Sequence, residues 1–155
     1  MDSTRRMEYA WTLAVVALLA GVLFYSTILL YDNTDATPSH VDEYIDVIGH
    51  QWFWEFCYSN HTCANATYNP ANNTATGGAM WVHPGTEVQI NVTSDDVIHS
   101  FNVPSLGIRL DAIPGRSNTV AFHIPSAPVG TSYLIQCTEF CGTYHGIMRA
   151  FVVVT

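Results

Sequence analysis

The sequence predicts an all-β domain that follows one N-terminal transmembrane helix. No residue between positions 10 and 30 carries a charge, and a helix of that length would reach about 30 Å, the thickness of a bilayer core. Downstream, short runs of β-branched and aromatic residues are separated by Gly and Pro. Short strands punctuated by such turns are typical of an antiparallel sandwich or barrel.

The apolar segment is predicted to be an uncleaved single-pass anchor at residues 10–31, preceded by a cytoplasmic N-terminus at residues 1–9. By the positive-inside rule, the flanking charges direct the rest of the chain to the outer face of the plasma (cytoplasmic) membrane. These charges are Arg5, Arg6, Asp32 and Asp35. A cleaved signal peptide is the alternative, but the apolar run is long for one and lacks a small-x-small cleavage site. Residues 32–41 form a polar, proline-containing linker.

Residues 42–155 are predicted to form one β domain. The clearest strand is residues 87–93, where Val88, Ile90 and Val92 alternate with polar residues, the pattern of a half-buried strand. The other predicted strands are residues 44–58, 79–83, 97–103, 119–124, 132–137 and 147–154.

Residues 59–78 lack apolar periodicity and are rich in turn-forming residues, so they are predicted to be a long surface loop inserted in this domain. Cys57 and Cys63 flank its start, and an oxidising exterior favours a disulfide between them. The candidate glycosylation sequons in the loop begin at Asn60, Asn65 and Asn72.

Charge in this chain is scarce and mostly negative. The formal net charge is −8, and there is no Lys. Such a surface repels nucleic acid and favours a cationic protein partner, whose association would depend on ionic strength. An acidic excess that merely keeps an exposed domain soluble is an equally weighted alternative.

A short segment near the C-terminus, Q-C-T-E-F-C-G-T-Y-H-G-I-M, carries two thiols, an imidazole and a thioether. Their close spacing lets one loop turn all of them toward one point. Thiolate and thioether ligands with imidazole select copper over harder ions. The four residues are Cys137, Cys141, His145 and Met148. Without the last two, a disulfide would be the preferred interpretation. His99, in a predicted strand, supplies a second imidazole.

The pattern C-x-E-x-C-G-x-x-H-x-x-M at residues 137–148, with an upstream His-Ser-Phe, resembles the binuclear CuA centre of subunit II of haem-copper cytochrome oxidases. Flanking segments are also similar, G-H-Q-W-F-W-E-F at residues 49–56 and V-I-H-S-F-N-V-P-S-L-G-I-R-L-D-A-I-P-G-R-S-N at residues 97–118. The resemblance implies a cupredoxin-like Greek-key barrel for residues 42–155. Two features depart from the family: Arg109 replaces the usual Lys, and one span is predicted where many relatives have two.

The resemblance implies that two copper ions bind to this chain. The implied side-chain ligands are His99, Cys137, Cys141, His145 and Met148, with the two thiolates bridging the metals. The main-chain oxygen of Glu139 is the implied second axial ligand, and its side chain would ligate Mg²⁺ (or Mn²⁺) at the boundary with subunit I. The resemblance assigns electron uptake from the donor to Trp52, which on general grounds would be a packing aromatic.

The implied function is that of subunit II of a respiratory oxidase. The chain would accept electrons from an external donor, cytochrome c or a blue-copper protein, and pass them to haem in subunit I. Oxygen is reduced to water there, coupled to proton pumping. No residue pattern in this chain predicts bond-making catalysis. The alternatives are a membrane-anchored copper carrier or metallochaperone, and the CuA domain of a nitrous oxide reductase-like enzyme. The latter typically has an aromatic residue where this chain has Glu139, so Glu139 favours the oxidase.

Overall fold

The computed structural model describes residues 2–34, 38, 40–72 and 74–155, without the side chains of residues 32–34 and 75. The chain divides into two compact units between Thr37 and Pro38, and each is described by itself. Of the predicted linker at residues 32–41, positions 35–37 and 39 lie outside the described residues.

The first unit is one helix, α1 (Ser3–Thr34), of 32 residues. Its stretch Ser3–Tyr31 is long enough to cross a membrane and contains an 18-residue window with a mean hydropathy of 2.5. Apolar side chains are exposed all round this helix, which is the pattern of a helix surrounded by lipid. The helix, Ser3–Thr34, extends beyond the predicted 10–31 because backbone hydrogen bonding rather than hydropathy sets its ends, and Arg, Met and Glu before the apolar run are good helix formers.

The second unit is a sandwich of two β-sheets. Its strands are β1 (Glu43–His50), β2 (Phe53–Tyr58), β3 (Cys63–Asn69), β4 (Thr74–Thr76), β5 (Met80–Val82), β6 (Glu87–Ser94), β7 (His99–Val103), β8 (Ile108–Ala112), β9 (Asn118–His123), β10 (Ser132–Cys137) and β11 (Arg149–Val154). One sheet has the order β4-β3-β2-β1-β6-β9, and the other β5-β11-β10-β7-β8. The predicted all-β class is confirmed.

Most neighbouring strands are antiparallel, as the sequence predicts, but two pairs are parallel. These are β1 with β6 and β5 with β11. A parallel pair requires a crossover connection, because the second strand must start at the same end as the first. The chain therefore passes between the two sheets before each parallel strand is added.

Side chains from both sheets fill the space between them. Trp54 and Phe56 from one sheet and Phe101 and Ile135 from the other are completely buried. The strict alternation predicted for β6 is present, with every second residue facing this core. Since such a core is close-packed, strand ends near it hold their side chains in fixed positions.

Residues 59–78 are not the long surface loop that the sequence predicts. They contain β3 and β4, and β3 pairs with β2 so that Cys63 lies opposite Cys57. The apolar signal of β3 is weak because only Ala66 and Tyr68 are buried and the other side chains are small or polar. Cys57 and Cys63 form the disulfide that the sequence favours, which holds the start of β3 beside β2.

The predicted strand 44–58 is two strands, β1 and β2, joined by a turn at Gln51 and Trp52. His50 lies opposite Phe53 across this turn. The turn is difficult to detect in this aromatic-rich sequence, because no Pro or Gly stands where the chain reverses. β8 has no counterpart among the predicted strands, since charged residues interrupt its apolar pattern.

Candidate metal centre

Two neighbouring strands and one loop bring the predicted metal ligands together. His99 is the first residue of β7, and Cys137 is the last residue of β10, which pairs with β7. Residues 138–148, here called the metal loop, follow Cys137 and lead into β11. The amide of Cys137 donates to the main-chain oxygen of Met148 at 3.1 Å. This hydrogen bond closes the base of the loop.

The side-chain donor atoms form a compact cluster. The Sγ atoms of Cys137 and Cys141 lie 3.8 Å apart. Nδ1 of His99 lies 3.8 Å from Sγ of Cys137. Around Sγ of Cys141, Nδ1 of His145 lies at 3.5 Å and Sδ of Met148 at 3.8 Å. Each thiol therefore has an imidazole neighbour of its own, and both thiols contact each other.

The backbone and the side chain of Glu139 have different surroundings. Its main-chain oxygen lies 3.2 Å from Sγ of Cys137, whereas the residue as a whole is exposed. The carbonyl is thus within reach of a metal held by the thiols, while the carboxylate is open to solvent or a partner.

Burial shields the cluster from water. His99 and Met148 are completely buried, and Cys137 and Cys141 are 8% and 3% exposed. Both cysteines are free thiols. Soft donors in a nearly dry setting suit a copper ion, which binds thiolate and thioether more readily than Mg²⁺ or Ca²⁺ does.

The contact between the two thiols gives them different pKa values. Burial opposes ionisation of Cys137, but hydrogen bonds from His99 and from the backbone outweigh it and lower its pKa to about 6. Burial raises the pKa of Cys141, and the charge on Cys137 raises it further, to about 12. Ionisation of one thiol is therefore favoured and ionisation of the second is opposed, so a bound cation would be required to ionise both.

His99 is held from three sides. Its Nε2 lies 2.8 Å from Oδ1 of Asp96, and the ring of Trp54 meets its ring edge-on at 6.0 Å. A Cβ on Gly49 would lie only 2.9 Å from Cδ2 of His99. Burial opposes ionisation of Asp96, but hydrogen bonds from His99 and backbone amides lower its pKa. The carboxylate of Asp96 therefore accepts a hydrogen bond from Nε2 of His99, and this contact turns Nδ1 of the ring toward the thiols.

His145 has a more open setting. It begins a short 3-10 turn, His145–Ile147, and is half-buried. The ring of Phe140 lies 5.8 Å from it, and Phe140 and Tyr144 are 77% and 55% exposed. Exposed aromatics gathered on one loop are characteristic of a surface that contacts a partner.

Comparison with known proteins identifies the family. The sequence profile of the cytochrome c oxidase subunit II periplasmic domain matches residues 44–155. The chain belongs to this family. It is 36% identical to cytochrome c oxidase subunit 2 of Candida albicans over 158 residues, covering 92% of this chain and 58% of that protein. It is 32% identical to the Rhipicephalus sanguineus subunit over 164 residues, covering 100% of this chain and 71% of that protein.

A solved structure of a subunit II domain supports the fold assignment. The periplasmic domain of subunit II of cytochrome oxidase (CoxB) of Bradyrhizobium japonicum superposes with a TM-score of 0.68 at 30% identity, covering 75% of this chain and 86% of that one. The predicted cupredoxin-like fold of the β domain is confirmed by this likeness.

In this member of the subunit II family, Trp52 lies beside the metal loop. Its Nε1 donates to the main-chain oxygen of Cys141 at 3.2 Å, and its ring meets that of Tyr144 edge-on at 4.8 Å. Trp52 is half-buried, whereas Trp54 is completely buried. Of these two neighbouring tryptophans, Trp52 is therefore the one that can meet an external partner.

The structure also reveals supporting residues that the sequence analysis does not single out. Asp96 precedes His99 by three positions, and a metal-bound histidine commonly donates to a carboxylate, so this residue had a detectable signal. Gly49 and Gln51 lie in the segment at residues 49–56 that carries the resemblance, but no periodicity or ligand spacing marks either of them as a support of the centre. Four other histidines each lie within 3.2 Å of a carboxylate oxygen: His40, His50, His83 and His123.

Proposed function

We propose that this chain is the CuA-bearing subunit of a respiratory haem-copper oxidase. It takes electrons from an external donor, cytochrome c or a blue-copper protein, and passes them to haem in subunit I, where oxygen is reduced to water with proton pumping. Helix α1 anchors it in the lipid bilayer, with the N-terminus cytoplasmic and the β domain outside. The observation that carries the proposal is the convergence of two thiols, two imidazoles, a thioether and a main-chain carbonyl.

The donor set suits a pair of copper ions. Two thiols that lie 3.8 Å apart can both be shared between two metals, and their imidazole neighbours at 3.8 and 3.5 Å supply one nitrogen for each. Met148 lies beside Cys141 and the carbonyl of Glu139 beside Cys137, so each would supply a further weak donor to a different ion. When bound, the copper pair supplies a one-electron carrier whose charge is shared between two metals.

The surrounding residues orient these donors and exclude water. Asp96 keeps Nδ1 of His99 turned toward the thiols, and the buried positions of His99 and Met148 limit solvent rearrangement when charge changes. The half-buried ring of Trp52 donates one hydrogen bond, from Nε1, to the main-chain oxygen of Cys141. We assign electron uptake to Trp52 on this basis.

The exposed negative charges of the chain are proposed to bind or attract its partners. The exposed carboxylate of Glu139 is proposed to ligate Mg²⁺ or Mn²⁺ shared with subunit I. The net charge of −8 would steer a cationic donor toward the domain, so that the association rate falls as ionic strength rises.

A membrane-anchored copper carrier is a weaker candidate. A carrier must release its metal to a partner, which requires ligands that the partner can reach. His99 and Met148 are completely buried, and the carboxylate of Asp96 holds His99 in place. This arrangement suits a resident metal, and family membership favours the oxidase over a nitrous oxide reductase.

The test is electron paramagnetic resonance of the full chain, loaded with copper in detergent. The proposal expects hyperfine splitting from one electron shared by two equivalent copper nuclei, with two copper ions bound per chain. A mononuclear spectrum would overturn the copper assignment. Purification from native membranes tests the partner: a haem-containing subunit should accompany the chain, and its absence would favour the carrier.

A further inference from the structure

Asp96 is hydrogen-bonded through both of its carboxylate oxygens. Oδ1 accepts from Nε2 of His99 at 2.8 Å and from the amide of Val97 at 2.6 Å. Oδ2 accepts from the amide of Gln51 at 2.7 Å. One carboxylate thus connects the first residue of β7 to the turn between β1 and β2.

That turn contacts the metal loop directly. Nε2 of Gln51 donates to the main-chain oxygen of Cys141 at 2.8 Å, and Nε1 of Trp52 donates to the same oxygen at 3.2 Å. A Cβ on Gly142, whose φ is 119°, would lie 3.1 Å from Nε2 of Gln51 and 3.2 Å from Cζ2 of Trp52. The turn and the loop are therefore closely packed, and the carbonyl of Cys141 is held by two donors.

We propose that Asp96 is a positioning residue that fixes two parts of the site at once. Its Oδ1 accepts from Nε2 of His99 and fixes the ring with Nδ1 toward the thiols. Through its other oxygen it fixes Gln51 and Trp52 against the carbonyl of Cys141. The orientation of a metal ligand and the position of the electron-uptake residue are thereby coupled through one side chain. The inference rests on the proposed function for the identity of the metal and the role of Trp52.

Only a carboxylate can accept hydrogen bonds on both sides at this position. An asparagine has one acceptor oxygen, and its amide nitrogen would have to face an N–H donor on the other side. In Asp96→Asn, the oxygen should remain toward His99, where two donors converge, and the amide nitrogen should face Gln51. This variant therefore loses the hydrogen bond to the turn but keeps the one to Nε2 of His99, whereas Asp96→Ala loses both.

The first measurement is nuclear magnetic resonance of the histidine ring nitrogens in the copper-free full chain, in detergent micelles. The Nε2–H of His99 should exchange slowly with solvent in wild type and in Asp96→Asn, and faster in Asp96→Ala, which removes its acceptor. Asp95→Asn is the matched control, because it removes the same charge from the neighbouring exposed carboxylate. It should resemble wild type. An unchanged His99 signal in Asp96→Ala would overturn the proposal.

The second measurement is copper retention against a competing chelator. Loss of the partner that orients a metal-bound histidine typically costs about 10- to 100-fold in metal affinity, so Asp96→Ala should lose affinity by about tenfold or more. Asp95→Asn should match wild type. Equal affinities in Asp96→Ala and Asp95→Asn would contradict the positioning role.

Asp96→Asn tests the two parts of the proposal separately. It also decides whether the proposal holds if Asp96→Ala does not fold. Asp96→Asn should retain copper but accept electrons from the donor more slowly, since the turn that carries Trp52 is released. A wild-type reduction rate in Asp96→Asn would overturn the coupling. If even Asp95→Asn and wild type bind no copper, the proposed function fails, and the ring-nitrogen measurement alone decides the role of Asp96.

Discussion

The two imidazoles of the candidate centre have opposite surroundings. His99 lies on a strand, is completely buried, and is fixed by Asp96 and by the close approach of Gly49. His145 lies on a short 3-10 turn of the metal loop, half-buried beside the exposed ring of Phe140. One half of the centre is thus built into the sandwich, and the other is presented at its surface.

This difference assigns separate tasks to the two halves. The His99 half is held by contacts between strands, so its geometry exists before a metal binds. The His145 half is surrounded by exposed aromatic residues of the metal loop, where a partner can contact it. A metal centre that exchanges electrons between two proteins needs both properties: rigid ligands that limit reorganisation, and a surface close to the metal.

The largest effect is expected from the thiols, which belong to both halves. In Cys137→Ser or Cys141→Ser, one remaining thiolate cannot bridge two copper ions symmetrically, so the binuclear centre should be lost and at most a mononuclear site should survive. Copper analysis and electron paramagnetic resonance of the full chain measure this. A delocalised two-copper spectrum in either variant would refute the ligand assignment.

The disulfide provides the matched cysteine control for that experiment. Replacing both Cys57 and Cys63 with Ser removes a bond that closes a sequence separation of 6. This should cost about 2 to 3 kcal/mol of stability by loop-closure arguments. Copper content should not change, because neither residue belongs to the cluster of donor atoms.

The second largest effect concerns Trp52, which lies between the surface and the metal loop. Trp52→Ala should slow reduction by the donor by orders of magnitude while leaving the copper absorption nearly unchanged, because no ligand is replaced. Donor binding should fall by only about 1 to 2 kcal/mol, as for one ring in a small interface. Stopped-flow reduction measures the rate, with Trp81→Ala as a control at another tryptophan, which is 45% exposed. A normal rate in Trp52→Ala would move electron uptake elsewhere.

The metal loop was predictable from sequence because its chemistry is local. Cys137, Cys141, His145 and Met148 lie within one short segment, and a set of soft donors has few other uses. The support of the His99 half was not predictable in the same way. Gly49, near the end of β1, approaches His99, and Gln51, in the turn that follows, donates to Asp96; both contacts depend on how the strands are arranged in space.

The sheets show a similar contrast. β6 was predictable because its buried residues alternate strictly, whereas β3 was not, because small and polar residues dominate it and its inward face holds only Ala66 and Tyr68. A strand of that composition forms because β2 offers it a partner and a disulfide joins the two. Pairing of that kind depends on tertiary context, which a single-sequence pattern does not contain.

A pair of glycines tests the contrast between the two halves directly. In Gly49→Ala, the new Cβ would lie 2.9 Å from Cδ2 of His99 and 3.3 Å from Cζ3 of Trp54, and both rings are completely buried. Overpacking of this kind typically costs about 1 to 3 kcal/mol, and it should also weaken copper binding by displacing His99. In Gly146→Ala, no heavy atom of the described residues beyond the two chain neighbours lies within 4 Å of the new Cβ.

Gly146→Ala should therefore leave both stability and copper binding close to wild type, although Gly146 is adjacent to His145. Thermal unfolding of the copper-free chain in detergent, followed by copper titration, compares the two variants. Equal losses in both would mean that the His99 half is no more rigid than the His145 half.

The smallest effect on the copper centre is expected from Glu139, whose main-chain oxygen and side chain have separate surroundings. Glu139→Gln keeps the carbonyl that lies 3.2 Å from Sγ of Cys137, so the copper spectrum should be unchanged. The exposed carboxylate is lost, and with it a charged oxygen ligand of the kind that Mg²⁺ and Mn²⁺ prefer. Manganese occupancy of the assembled oxidase, measured by electron paramagnetic resonance, should therefore fall in Glu139→Gln but not in the control Asp95→Asn. Equal occupancy in the two variants would leave Glu139 with a backbone role alone, and would mean that the exposed half of the centre meets subunit I without a shared cation.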